Sequence, residues 1–322
     1  MSNILITSAG KRVSLVKFFK TELTKVFASS KVFTTDLNPE FSSACRVSDG
    51  FFKICHVTDD NYISELLRIA LANNIKLIIP TIDTELIVLS ENISLFKENN
   101  IHVLISDLNL VSIFRDKRKT NNFFENLNIN CAKEFDKINY QLPIFIKPID
   151  GSRSVDNFVI LNKDQLTDYH FENQKLLFFE FLDHKKHTEY TIDLYYDKQS
   201  QLKCLVPRQR IEVRDGEVNK SITRKLSFND DIWQKMKFVN GFRGCITLQI
   251  FVNNQTNSIY GIEINPRFGG GFPLTYLAGA NFVKWIIDEY LLDKQIEICS
   301  NWENNLLMLR YDDEVLIHNF EN

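Results

Sequence analysis

The segment Gln249–Gly271, LQIFVNNQTNSIYGIEINPRFGG, constrains this chain more than any other. A strand carrying Gln249 runs into an Asn-rich turn, and a second strand bears Glu263 and, two residues later, Asn265. Residues two apart on a strand share a face, so Glu263 and Asn265 present oxygen atoms side by side. If the strands pair as a hairpin, Gln249 joins them. Oxygen-only ligands suit a hard ion such as magnesium, which binds few protein oxygens and completes its shell with water and phosphate. Arg267 follows on the same face, placed to meet a phosphoryl group, and a glycine run succeeds it. The expectation is a site for ATP and metal.

The remaining composition is that of a soluble enzyme. A chain of 322 residues, 44% hydrophobic and 25% charged, can bury a large core in two or three units. Its formal net charge of −3 offers no basic footprint, so no nucleic-acid partner is expected. No apolar run approaches the ~20 residues of a membrane span, and MSNILITSAGKR lacks the pattern of a signal peptide. A cytoplasmic location without membrane attachment is expected. The six cysteines are scattered and never form CxxC, which reads as buried thiols in a reducing compartment.

The first third alternates short apolar strands with helices. Ile4–Ile6 is a strand, Val13–Phe27 has helical spacing through Val13, Val16, Phe19 and Leu23, and Lys31–Thr35 is a second strand. A helix over Tyr62–Asn73, strands at Lys76–Pro80 and His102–Ser106, and a helix from Asp83 to Ser90 follow. Such alternation implies a parallel sheet covered on both faces. The first turn, TSAGKR, has one glycine where a dinucleotide fingerprint has three, which argues against a nicotinamide cofactor. That turn can still receive an anion, with Lys11 or Arg12 assisting. Asp36 and Asp83 follow strand ends, where open parallel sheets place ligands; helix capping explains each equally well.

Further along, Arg115-Asp116-Lys117-Arg118-Lys119 opens a helix. Ile144-Phe145-Ile146 is a strand ending in Lys147-Pro148, followed by a small polar turn, Gly151-Ser152-Arg153-Ser154. A lysine at a strand end before such a turn can bring a cation and backbone N–H groups onto phosphates. Leu176–Leu182 reads as a buried strand and connector able to flank a flat heterocycle. Glu189–Leu194 alternates as a half-exposed strand, which projects Glu189 into a cleft.

Taken in order, RDKRK, FIKPIDGSRS, FFEFLDHKKHTEYTIDLYYD, LQIF and IEINPRFGGG resemble the ATP-grasp superfamily, and most nearly its carbamoyl-phosphate-synthase-like branch. The likeness spans almost the whole chain. It implies an α/β architecture that becomes α+β toward the C-terminus: a Rossmann-like pre-ATP-grasp domain over 1–110, a lid over 111–178 and an antiparallel-sheet subdomain over 179–322. It also implies roles. Lys117 and Lys147 would contact phosphates, and the turn of Gly151, Ser152, Arg153 and Ser154 would close over them. Glu180, Phe181 and Leu182 would line the adenine, and Glu189 would hold the ribose. Gln249, Glu263 and Asn265 would hold two magnesium ions, with manganese as a substitute, and Arg267 would neutralise the transferring phosphoryl group. The lid turn departs from the family pattern, placing Arg153 and Asp156 where small residues are common.

The implied chemistry is ATP-dependent joining of a small-molecule carboxylate to an amine through an acylphosphate, with a homodimer as an available assembly. A phosphotransferase or carbamoyl-phosphate-type synthase using the same site is the alternative, and a non-catalytic nucleotide-binding module is a third. For the substrate, Arg208 and Arg210 occupy an extended segment and suit a carboxylate; an exposed strand charge is the competing reading of Arg210. Gly269 and Gly270 could present N–H groups to an anion, and Asp83 could face the same substrate.

Overall fold

The computed structural model describes residues 2–150, 156–214 and 216–320. Five short strands, β1 (Asn3–Ile6), β2 (Val32–Asp36), β3 (Gly50–Lys53), β4 (Ile75–Ile79) and β5 (His102–Val103), form a parallel sheet in the order β3-β2-β1-β4-β5. Strands of this kind, buried on both faces, are almost wholly apolar. Ile4, Leu5, Ile6, Leu77, Ile78 and Ile79 are all fully buried. The helix Val13–Val26 buries Val16, Phe19 and Leu23 of the expected stripe, with Leu15 in place of Val13, which is only partly buried. Its approach depends on Gly10, whose φ of +51° suits a residue without a β-carbon, and whose N–H donates to Asp36 at 2.9 Å. Asp36 therefore braces the first turn. The strand expected over His102–Ser106 shrinks to two residues, because Leu104 already donates to Ile78 at the sheet edge and the chain then turns toward Gly241.

After β6 (Asn130–Cys131), the chain builds a small antiparallel sheet from β7 (Glu134–Phe135), β8 (Ile144–Pro148), β9 (Phe158–Ile160) and β10 (Leu176–Glu180), ordered β7-β10-β8-β9. Ile144, Ile146, Ile160, Leu176 and Phe178 fill its core. Alternate residues of β8 and β10, Lys147 and Phe179 among them, face the opposite side.

The third sheet has seven strands in the order β16-β13-β12-β11-β14-β15-β6. Its new members are β11 (His187–Tyr196), β12 (Leu202–Arg214), β13 (Glu217–Thr223), β14 (Gly244–Asn253), β15 (Ile259–Asn265) and β16 (Leu307–Leu309). One face is apolar throughout: Ile192, Leu194, Ile246, Leu248, Ile250 and Ile264 meet the helices Lys117–Asn126 and Asn229–Met236. Phe124 of the first of these helices is fully buried over Gly261, where an added β-carbon would lie 2.4 Å from the ring. The stretch expected as one lid over 111–178 thus divides. Its opening helices carry Phe114 and Phe124 into the core of the large sheet, and the small sheet begins only at Glu134. The other face of the large sheet is apolar at Tyr195 and Cys245, where it meets the N-terminal unit, and polar toward Glu189. Among the described residues no helix is long and apolar enough to cross a membrane.

Candidate active site

The polar part of that second face is set by strand register. Thr191 opposes Gln249, Gln249 opposes Glu263, and Thr247 opposes Asn265. Directly opposed residues share a face, so the expected trio of Gln249, Glu263 and Asn265 does come together. A bulge just past Gln249 leaves Phe251 opposite Tyr260. Asn265 Nδ2 donates to Glu263 Oε1 at 2.9 Å, and Gln249 Nε2 donates to Glu189 Oε1 at 2.7 Å. Arg210 Nε lies 3.1 Å from the same Glu189 oxygen, a close charge contact without hydrogen-bond alignment, while Arg210 Nη1 donates to Thr191 Oγ1 at 3.3 Å.

Cations converge on Glu263 from three directions. Lys117 opens the helix Lys117–Asn126, whose cap Asp116 accepts from the N–H groups of Arg118 and Lys119. That geometry sends Lys117 Nζ to within 3.3 Å of Glu263 Oε2. Arg267 leaves the end of the hairpin, with Nη2 at 2.5 Å from Asp83 Oδ2 and 3.4 Å from Asn265 Oδ1. Lys147 comes from the small sheet, its ammonium 4.7 Å above the Phe179 ring. Asp83 is itself held by its neighbourhood. The buried Glu85 carboxylate accepts from Thr81 N at 2.8 Å, Ile82 N at 3.2 Å and Tyr62 Oη at 2.9 Å, which fixes the turn on which Asp83 sits.

Burial first, and then repulsion from Lys117, pushes the Lys147 ammonium down to about 8. Glu263 moves the favourable way for an anion. Burial resists its ionisation, but Lys117, the Asn265 amide, Arg267 and Lys147 together outweigh that and hold its carboxyl below the usual range. The site is an anion surrounded by more cation than it can neutralise, which is the electrostatic condition for receiving a polyanion. A pH profile tests this. A bound polyphosphate restores the Lys147 proton, so above about pH 8 binding must take up a proton that the free protein has lost. MgADP affinity is therefore expected to be level below about pH 8 and to weaken above it, by at most tenfold per pH unit. Lys147→Met should bind more weakly and lose that slope. A wild-type profile that stays flat to about pH 9.5 would remove Lys147 from the phosphate site.

Among the described residues no group of three or more His, Cys, Asp or Glu side chains could hold a metal. The available donor set is one carboxylate, Glu263, flanked by the amide oxygens of Gln249 and Asn265. Such a set is too weak to cage calcium or zinc alone, and it fits magnesium that also takes oxygens from phosphate and water.

The remaining sequence candidates fare differently. Glu180 ends β10, where its N–H donates to Lys133 O at 2.8 Å and its carboxylate accepts from Lys133 N at 3.4 Å. It is tied to the sheet; beyond it Phe181 is partly buried and Leu182 buried. Gly151, Ser152, Arg153 and Ser154 lie outside the described residues. Arg208 is corrected by its surroundings: it is fully buried, with Nε and Nη2 each 2.9 Å from the two oxygens of Asp193. Its donors join β12 to β11, and Thr275 of the helix Phe272–Leu277 donates to the same Asp193 carboxylate, so Arg208 is spent inside the core. Gly269 and Gly270 line a cavity against the N-terminal unit.

An aromatic wall also borders the site, unmarked by any motif in the sequence. Phe251 opposes both Glu189 and Tyr260, and the buried His187 meets Tyr260 edge-on at 5.5 Å. Phe251 lies two residues beyond Gln249 on the same strand, which was the available signal. His187 appears in the sequence as part of a polar turn, whereas β11 begins with it.

Comparison with known proteins follows the same division. A family profile described as the PylC-like N-terminal domain matches residues 4–104, and one described as ATP-grasp in the biosynthetic pathway with Ter operon matches residues 172–308. No curated protein matches the chain. Among solved structures, the biotin carboxylase domain of Hydrogenobacter thermophilus 2-oxoglutarate carboxylase, in complex with MgADP, ADP and bicarbonate, is 13% identical with a TM-score of 0.72, covering 94% of this chain and 73% of that one. Biotin carboxylase from Campylobacter jejuni is 12% identical with a TM-score of 0.72, covering 95% and 74%. Staphylococcus aureus N5-carboxyaminoimidazole synthetase, complexed with ADP, is 14% identical with a TM-score of 0.68, covering 96% and 80%. The chain thus carries a PylC-like N-terminal domain over residues 4–104 and an ATP-grasp domain over residues 172–308, in a fold that it shares with these solved structures.

Proposed function

We propose that this protein is an ATP- and magnesium-dependent ligase that joins a small-molecule carboxylate to an amine. The observation that carries the reading is the convergence of Lys117, Lys147 and Arg267 on Glu263, beside the oxygen donors of Gln249 and Asn265. Solved structures of the same fold are described as complexes with ADP, and one of them with MgADP and bicarbonate.

In this reading a carboxylate oxygen of the first substrate attacks the γ-phosphorus of ATP as the bond to the β-phosphate oxygen breaks. ADP leaves and an acylphosphate forms. The amine nitrogen then attacks the acyl carbon, inorganic phosphate departs with the electron pair of the C–O bond, and the nitrogen loses a proton to solvent. Magnesium, held by Gln249, Glu263 and Asn265, would offset phosphate charge. Lys117 and Lys147 draw the triphosphate into the cleft. Arg267, steered by Asp83, meets the phosphoryl group where charge develops. Glu189, fixed by Gln249 and Arg210, faces the ribose beside the wall of Phe251 and Tyr260, with Phe181 and Leu182 opposite. Such catalysis rests on positioning and needs no side-chain nucleophile. A cytoplasmic location and a homodimeric form belong to the same proposal; the Hydrogenobacter neighbour is described as a domain dimer.

The test is ADP and phosphate release with MgATP against a matrix of carboxylates and amines. Release that needs one member of each class is expected, and hydroxylamine should trap a hydroxamate when the carboxylate is supplied alone. A stable phosphorylated product formed without amine would point to a phosphotransferase, and MgADP binding without turnover on any pair would point to a nucleotide-binding module.

A further inference from the structure

A cavity lies where the first turn of the N-terminal unit meets the glycine run after Arg267, and among the described residues that line it the positive charges outnumber the negative. Lys11, Arg12, Glu217, Gly269, Gly270 and Arg310 contribute to its lining. Three cations thus come from the start and the end of the chain, and Glu217 on β13 is the carboxylate among these six. Arg310 Nη1 lies 3.3 Å from Glu217 Oε2, and Lys11 Nζ stands off at 3.9 Å. Arg12 has less: Nη2 reaches only the Thr81 carbonyl, at 3.5 Å, and among the described residues it forms no ion pair. Burial first, and then repulsion from Arg267, lowers the Arg12 guanidinium to about 10 against the opposing pull of Glu217 and Asp83. The glycines keep the floor low. A β-carbon on Gly270 would come within 3.3 Å of the Glu217 carboxyl carbon, and one on Gly269 within 3.0 Å of Thr247.

We propose that this cavity holds a non-reacting oxyanion, carboxylate or phosphate, carried by one of the substrates, with Arg12 and Arg310 as its anchors. The inference rests on the ligase reading, because Arg267 is near both the cavity's Arg12 and Glu263. The group phosphorylated beside Glu263 cannot also occupy the cavity, so the anion bound there is a second one on the same or the partner substrate. The substrate class narrows accordingly to metabolites that bear an extra acidic group, such as an amino acid or a phosphorylated amine. Guanidinium is well matched to either oxyanion through paired N–H donors.

The experiment loads the full-length protein with magnesium adenylyl imidodiphosphate, so that every nucleotide phosphate position is filled, and titrates it calorimetrically with inorganic phosphate and separately with acetate. Saturable binding of at least one probe is expected, and the preferred probe identifies the source of the anion. Arg12→Ala and Arg310→Ala should each weaken that binding tenfold or more, Arg12→Lys should retain part of it, and nucleotide affinity should stay within twofold. Thermal melting checks the fold; if Arg12→Ala unfolds, Arg310→Ala near the chain end decides. Absence of binding to the loaded wild type, or equal binding by folded variants, overturns the proposal. Failure of the nucleotide to bind at all would instead overturn the ligase reading, and the anion titration on nucleotide-free protein would still decide the cavity.

Discussion

Glu263→Gln is expected to lower MgATP turnover by on the order of 10²–10³-fold or more while leaving the fold intact. The substitution keeps size and shape and removes one charge. The ladder between β14 and β15 is made by backbone groups, so the pairing of residue 263 with Gln249 survives. What is lost is the anion that Lys117 touches at 3.3 Å and toward which Arg267 and Lys147 are drawn. In the variant Arg267 keeps Asp83, but Lys117 and Lys147 repel each other without the Glu263 carboxylate, and the remaining oxygens proposed for the metal belong to neutral amides. Magnesium affinity falls for the same reason, since a hard divalent ion needs at least one carboxylate among so few protein oxygens. Raising magnesium should recover part of the binding and little of the rate. The measurements are ADP release over a magnesium titration and a melting curve. A variant that melts like wild type and turns over within a few-fold of it would dismiss Glu263 as the centre of the site.

How much of this was legible beforehand depends on the range of the interaction concerned. Apolar spacing over Val13–Phe27 and Tyr62–Asn73 predicts helices that the structure places at Val13–Val26 and Tyr62–Ala72, because a buried stripe is a local pattern. The Gln249–Glu263 pairing was legible for a similar reason: strands joined by a short turn have few ways to align. Lys147 at a strand end was also local. The pairing of Arg208 with Asp193 was not. Both lie on strands that look half-exposed when read singly, and only the register of β11 against β12 and the arrival of Thr275 from another element bury them. The cavity of Arg12, Gly270 and Arg310 was still less accessible, since it joins the two ends of the chain. The division of 111–178 between two sheets follows from Gly261, more than a hundred residues away, which opens the space that Phe124 fills.

The largest expected loss of stability comes from that hidden pair. Asp193→Ala leaves the Arg208 guanidinium fully buried without its carboxylate, and breaking a buried ion pair from one side costs about 3–5 kcal/mol. Thr275 loses its acceptor in the same step, and Arg208 Nη1 has no other partner among the described residues to fall back on. The effect should spread to the site. Arg208 Nη1 occupies the space where a β-carbon on Gly271 would stand, 2.0 Å away, so the guanidinium fixes how closely the glycine run after Arg267 lies on the sheet. If the loss is mainly one of stranded charge, replacing both partners with apolar residues of similar volume, Asp193→Leu with Arg208→Met, should recover most of the stability. Turnover, by contrast, should stay low in the double variant, because the guanidinium no longer seats Gly271, and the bond of Thr247 Oγ1 to the Arg267 carbonyl is left to hold the turn. Urea unfolding of the two single variants and the double variant, read with ADP release, separates these effects. Destabilisation below about 1 kcal/mol in Asp193→Ala would mean that the pair is worth no more than a surface contact, and recovery of turnover along with stability would sever Arg208 from the positioning of Arg267.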